Sequence, residues 1–263
     1  MEIVLLTDFG WRDGYVGTMK GVIHRISPKA VITDLAHELP NFNILHASMV
    51  LQRSYQFFPK NSIFVCIIDP GVGSERKPIL VKTKDYIFIA PDNGVLTMTL
   101  HETQAEKILY LNQEEYFLQP ISQTFHGRDI FSPVAAHIAN GVPIEKLGSP
   151  LEEIYQLEDI EAKVENEKIQ GRVISIDHFG NVITNIKREI IEQHFPRLDF
   201  AASIINESKT TISHFCSHYA EGRPSEPIMI FSSNGFLEIC LNQSSLEELL
   251  EVSVGDQVII PLS

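Results

Sequence analysis

The sequence predicts an α/β N-terminal domain built on a mainly parallel sheet, followed by a C-terminal domain of short antiparallel strands. Three observations carry this. Strand-like and helix-like segments alternate through the first half of the chain. The strand-like segments there are apolar without a polar alternation, as in sheets covered on both faces. After residue 168 the pattern changes to short strands with Gly, Asn or Ser at the joints.

In order, EIVLLTD (2–8) is a strand. YVGTMKGVIHRIS (15–27) has apolar residues at helical spacing and stops before Pro28. AVITDL (30–35) is a second strand, and NILHASMVLQRSYQFF (43–58) a long helix closed by Pro59. SIFVCIID (62–69) is a third strand, buried on both faces. ILVKTK (79–84) and YIFIAPDNG (86–94) form a hairpin or further strands. GRDIFSPVAAHIANG (127–141) is one more helix, with Pro133 in its first turns, where proline is tolerated. The domain boundaries follow: 1–150, an acidic passage at 151–168, and 169–263. In the last part IQGRVISID, NVITNI, FAASII, PIMIFSS, FLEICL and QVIIPL are strands of a small barrel or sandwich. SSLEELLE is a short helix, with Ser244 and Glu247 spaced as a capping box.

The chain of 263 residues, 44% hydrophobic, is long enough for a substantial core. Its net charge of −13, unbroken by any Lys/Arg block, lacks the footprint of a nucleic-acid binder. No apolar run approaches the roughly 20 residues that span a bilayer. MEIVLLTDFG reads straight into a strand and not as a signal peptide. Cys66, Cys216 and Cys240 are scattered, without CxxC spacing, which suits reduced thiols in the cytoplasm better than a disulfide framework or zinc cage. The histidines follow no metal-ligand spacing, so no metal is expected.

Five polar turns, with a sixth at Asp92–Gly94, are candidates for chemistry. Asp8 ends the first strand, where α/β sheets bind ligands, and can accept two hydrogen bonds from a sugar diol; the structural alternative is a cap on the next helix. Neither GxGxxG nor GxxxxGK[ST] accompanies it. Asp69 ends the third strand, Gly71 and Gly73 let the backbone turn, and Arg76 can fold back over the strand end, as a functional pair or a plain ion pair. His126 stands on a glycine-hinged loop before Arg128 and Asp129, placed for chemistry or simply at a helix start capped by Asp129. Asp177 and Asn181 flank a turn, and Ser232 and Ser233 precede an Asn-Gly pair; both stretches are also good hairpins. Asp92 and Asn93, before Gly94, share that ambiguity. Together these turns argue for a small-molecule site fed by both domains.

The ordered set LTDFG…YVGTMKG, IDPGVGSER, PDNG, TFHGRDIFSP, DHFGNVITN and SNGFLEI resembles the S-adenosylmethionine hydroxide adenosyltransferases, hydrolases related to the fluorinase and chlorinase. The resemblance runs from residue 3 to about the last strand. It implies an α/β domain followed by a β-barrel domain, and a homotrimer with sites between subunits. It implies S-adenosyl-L-methionine as substrate, hydrolysed to adenosine and L-methionine, with no cofactor. It implies catalytic roles for Asp69, Arg76 and His126 and ribose binding by Asp8. It puts methionine-side contacts on Asp177 and Ser232, with Ser233 beside it, an adenosyl contact on Asn181, and further substrate binding on Asp92 and Asn93. Two departures from the halogenating relatives favour water as nucleophile: the stretch 85–112 is too compact for their extra loop, and Ile183 stands where the fluorinase has an aromatic residue.

In that chemistry the sulfonium leaves as a neutral thioether, so the nucleophile is the difficult partner. Arg76 would hold the water and Asp69 would orient Arg76, with His126 the natural proton acceptor and Asp69 the alternative. A halide-using enzyme and a non-enzymatic sensor of S-adenosylmethionine or adenosine are the rival expectations.

Overall fold

The computed structural model describes residues 1–206 and 209–262. The chain divides into two compact units, Met1–Leu157 and Glu158–Ser263.

The first unit runs β1 (Glu2–Thr7), α1 (Tyr15–Ile26), β2 (Val31–Ala36), α2 (Ile44–Ser54), β3 (Ile63–Ile67), β4 (Pro78–Thr83), β5 (Ile87–Pro91), α3 (Thr97–Leu100), β6 (Ala105–Leu111), α4 (Ser132–Ala139) and β7 (Gly148–Pro150). Its sheet has the order β2-β1-β3-β5-β4-β6-β7. The first four strands in that order pair in parallel; β4, β6 and β7 extend the sheet antiparallel. The apolar runs are explained by two cores, one per face. Ile3, Leu5, Ile63, Val65 and Ile67 pack with Met19 and Ile23 of α1 and with α4. Val4, Leu6, Phe64, Cys66 and Ile68 pack with Ala47, Val50 and Leu51 of α2. Successive residues of a strand point to opposite faces, so a strand covered on both sides must be apolar throughout. α2 starts where the Asn43 side chain accepts the His46 N–H (2.9 Å), an ordinary N-cap.

The second unit runs β8 (Lys163–Glu165), β9 (Lys168–Ile176), β10 (Val182–Lys187), α5 (Arg188–His194), β11 (Ala202–Ile205), β12 (Lys209–Ile212), β13 (Ile228–Phe231), β14 (Phe236–Cys240), α6 (Leu246–Leu250) and β15 (Gln257–Pro261). The order is β12-β11-β15-β9-β10-β14-β13, with β8 on β9, and every one of these pairings is antiparallel. The chain just after β12 returns to the far edge: Met229 N–H donates to His214 O and Cys216 N–H to Met229 O, both at 2.8 Å. That contact nearly closes the sheet into a barrel around Val173, Val182, Ile204, Leu237 and Val258, and decides between barrel and sandwich.

Four local expectations are refined. The two segments at 79–94 form an antiparallel hairpin, β4–β5. The expected helix at 127–141 starts as a π-helical turn, Gly127–Phe131, before α4 takes over. The cap of α6 is Ser245, which accepts the Glu248 N–H at 3.1 Å, one residue later than the expected Ser244–Glu247 pair; the run SSLEE offers both registers. Within 151–168, Leu151, Tyr155 and Leu157 donate backbone N–H groups to Ile108, Asp92 and Thr97 of the first unit, whereas 163–165 form a strand of the second.

Candidate active site

Asp69 lies just beyond the end of β3. Arg76 returns over it after the glycine turn, with Nε 3.0 and 3.1 Å from the two carboxylate oxygens and Nη2 2.5 Å from Oδ2. Both side chains are nearly out of solvent, 4% exposed for Asp69 and 9% for Arg76. Arg76 Nη2 also lies 2.6 Å from His126 Nδ1. Arginine only donates, so Nδ1 is the acceptor and a neutral ring carries its proton on Nε2. Burial, and next the Arg76 charge, hold the His126 pKa below its ordinary value. The remaining guanidinium nitrogen, Nη1, is buried with no hydrogen-bond partner among the described residues. An unpartnered buried donor on a cation is costly, and Nη1 is therefore available to donate to a ligand atom.

The supporting loops explain why these three meet. Gly73 has φ +78°, and a Cβ there would come 2.3 Å from the Gln123 carbonyl oxygen. The turn before Arg76 therefore rests directly on the loop that carries His126, and only glycine permits it. Asp129, fully buried, accepts the Ser122 N–H (2.8 Å) and both Arg128 Nε (2.6 Å) and Nη2 (3.0 Å), tying that loop together. It is thus inside the π-helical turn and no N-cap. Phe131 lies under the guanidinium, 5.5 Å from ring centroid to the Arg76 carbon. Asn93 donates to the Ile68 carbonyl at 2.8 Å and so braces the chain next to Asp69. Asp92 accepts the Tyr155 N–H at 2.7 Å, and burial raises its pKa.

Asp8 caps no helix. Its Oδ2 accepts the N–H of Phe42, 2.8 Å away and in the left-handed region, while Oδ1 takes no hydrogen bond among the described residues. It borders a cleft of about 410 Å³ with Trp11, His37 and Asn41. α1 starts instead after Gly14.

In the second unit Asp177 and Asn181 border a cavity of about 610 Å³ together with Phe179, Tyr219, Asn242 and Gln243. Asp177 organises the turn: Oδ1 accepts Phe179 N–H (2.8 Å) and Asn181 N–H (2.9 Å), and Oδ2 accepts Asn181 Nδ2 (3.0 Å). Gly180, at φ +78°, lets this turn dock on the start of α6; a Cβ would meet Ser245 Oγ at 2.1 Å. The Phe179 ring is 73% exposed. Ser232 and Ser233 are elsewhere, on the β13–β14 turn, where Ser232 Oγ accepts the Phe236 N–H (3.2 Å). Phe179, Tyr219, Asn242 and Gln243 are not expected from the sequence reading. The polar run LNQSS after an apolar strand is the signal that points to two of them.

Two family models match the chain: the SAM hydroxide adenosyltransferase N-terminal domain over residues 3–148 and its C-terminal domain over 171–259. The chain belongs to the SAM hydroxide adenosyltransferase family. A Methanocaldococcus jannaschii protein named (R)-S-adenosyl-L-methionine hydrolase is 37% identical, over 97% of this chain and 94% of that protein. A fluorinase of Actinopolyspora mzabensis is 26% identical over 93% of this chain and 91% of its own. A crystal structure of an uncharacterized conserved protein from Thermotoga maritima superposes with a TM-score of 0.90 at 39% identity, covering 98% of this chain and 99% of that one. Among the described residues no helix is long and apolar enough to cross a membrane, and no group of three or more His, Cys, Asp or Glu side chains is arranged to hold a metal ion.

Proposed function

We propose that this protein hydrolyses S-adenosyl-L-methionine to adenosine and L-methionine by in-line attack of water on the ribose C5′. Family membership and the name of the M. jannaschii relative support the substrate. The observation that carries the reaction is Arg76, clamped by Asp69 and His126 with Nη1 left buried and unpartnered.

Nη1–H holds the attacking water through one oxygen lone pair and leaves the other for carbon. As C5′–O forms, C5′–S breaks and its electron pair goes to sulfur, giving neutral methionine. The attacking oxygen gains positive charge in that step, so its proton becomes strongly acidic and a weak base suffices. His126 Nδ1 is already an acceptor for Arg76, which favours Asp69, with lone pairs to spare, as the proton's first stop. His126 then acts by fixing the guanidinium. Much of the rate comes from holding water and substrate in line, worth on the order of 7 kcal/mol in good cases.

Substrate binding follows the same division of groups. Asp8, with a free Oδ1, takes the ribose diol. The rings of Phe179 and Tyr219 offer faces to a purine, and the Asn181, Asn242 and Gln243 amides offer edges. Asp177 pairs with the methionine ammonium. Asn93 and Asp92, expected as substrate contacts, act in this reading through the protein, Asn93 bracing the chain beside Asp69 and Asp92 holding the Tyr155 N–H, while Ser232 and Ser233 contact the methionine side. A homotrimer with sites between subunits, located in the cytoplasm, completes this reading; sedimentation of the purified protein tests the assembly.

Purified protein incubated with S-adenosylmethionine in water enriched in heavy oxygen tests the reaction by mass spectrometry. Adenosine labelled at the 5′ oxygen, at a rate indifferent to chelator, is the expected product. A 5′-halogenated nucleoside in high halide would make it a halogenase. Bound but unconsumed substrate would make it a sensor.

A further inference from the structure

The cavity of the second unit has a carboxylate behind its wall that the reaction above does not use. Glu238 sits in the middle of β14, whose other residues, Phe236, Leu237, Ile239 and Cys240, are all apolar and buried. Glu238 itself is 4% exposed. Its face of the sheet carries the small cluster of Cys216, Ile228, Ile230 and Cys240, and its cross-strand neighbours are Ile183 and Ile230. Among the described residues it forms no ion pair; its hydrogen bond comes from Tyr219, whose hydroxyl donates to Oε1 at 2.7 Å. The Tyr219 ring borders the cavity. On β14 the next residue, Ile239, pairs with Val182, which directly follows Asn181 of the Asp177 turn. Burial raises the Glu238 pKa, the Tyr219 hydrogen bond opposes the rise by favouring the carboxylate, and the Asp177 charge adds to it, so the two carboxylates feel each other.

A buried carboxyl without a cation is expensive, and an apolar residue of similar size is often better for stability. Its position behind a cavity wall suggests that it is kept for the ligand. The ligand chemistry supplies the reason. S-Adenosylmethionine carries a sulfonium, an ammonium and one carboxylate, a net charge of +1. Adenosine is neutral, and methionine is a zwitterion of zero net charge. A site with negative potential therefore tells substrate from product by charge.

We propose that Glu238 is a specificity-determining residue of this cavity: a second carboxylate, hydrogen-bonded to the Tyr219 hydroxyl and on the strand paired with the one that follows the Asp177 turn, that makes the site prefer the cationic sulfonium substrate to its neutral nucleoside product. This rests on the substrate assigned above. Catalysis then ends with a loss of charge that weakens binding, which helps release the nucleoside.

The test uses steady-state kinetics of the full-length protein, with the Michaelis constant for S-adenosylmethionine and the inhibition constant for adenosine measured side by side. Glu238→Gln still offers Tyr219 an acceptor but removes the charge. The expected result is a rise of about three- to tenfold in the Michaelis constant. The inhibition constant for adenosine and kcat stay near wild type. Tyr219→Phe, which leaves the charge, moves both constants together. An unchanged ratio of the two constants in Glu238→Gln, or equal changes in both, overturns the proposal and makes Glu238 a packing residue. Should that variant not fold, Glu238→Asp decides: it keeps the charge and withdraws from Tyr219, so the ratio must survive, and its collapse overturns the proposal. If the wild-type protein neither binds nor consumes S-adenosylmethionine, the substrate assignment fails first, and it fails visibly before any variant is compared.

Discussion

The cluster around Asp69 and the cavity around Asp177 handle their polar groups differently. In the first, Asp69, Arg76 and His126 are turned on one another, almost dry, and a single donor, Arg76 Nη1, is left over. In the second, one carboxylate organises a turn while an exposed ring and several amides border an open space of about 610 Å³. A preorganised, water-poor cluster suits a reacting group, because its dipoles need not rearrange when charge develops. A roomy wall of rings and amides suits recognition of a large ligand. Under the function proposed above, turnover belongs to the first region and affinity to the second.

Arg76→Ala should break that contrast most severely. Removing the donor is expected to lower kcat by a factor on the order of 10²–10³ with the Michaelis constant largely kept. Initial rates check it, and full turnover in the variant would falsify the mechanism. Gly73→Ala attacks the same cluster from outside. The positive φ alone costs about 1–3 kcal/mol, and displacing the Gln123 carbonyl should separate Arg76 from His126. Both the melting temperature and kcat should fall; a variant with wild-type melting and turnover refutes the packing account.

Asp177→Asn sharpens the other side. Its amide oxygen can still accept the two turn N–H groups, so the variant loses the charge and the acceptor of Asn181 Nδ2. An increase of about tenfold in the Michaelis constant at unchanged kcat is expected. A loss confined to kcat would move Asp177 into the chemistry. Asn93→Ala removes the bond to the Ile68 carbonyl and should cost about 1 kcal/mol of stability, read by denaturant unfolding, with a mild fall in kcat.

The smallest effect is one of pH. His126 must be neutral at Nδ1 to accept from Arg76, and burial with the Arg76 charge depresses its pKa. Activity should therefore stay level as pH falls through about 6.5, the ordinary histidine value, and decline only lower. An inflection of kcat/KM at or above that value argues against the arrangement. Stability has the same sign. His37, His46, His126 and His137 are all depressed, chiefly by burial. Their contribution is complete above the unfolded value and is lost as pH falls through the depressed ones.

Much of this protein was legible in its sequence. The unbroken apolar run Ile63–Ile68 required a strand covered on both sides, because side chains alternate between faces. The terminal Asp69, the glycine turn and Arg76 lie within one short segment, so local spacing alone suggests that they can meet. The order of the polar turns carried the family resemblance. Tertiary structure decided what local spacing does not encode. Arg76 meets His126 across 50 positions, and Asp8 meets Phe42 across 34. β4 lies between β5 and β6, and the chain after β12 closes the barrel on Met229. The glutamate within FLEIC is visible in the sequence, yet its partner Tyr219 lies 19 positions away on a short turn. The physical reason is the same throughout. Periodicity and turn chemistry are properties of neighbours along the chain, whereas the partner of a buried polar group is whichever group packing brings to it.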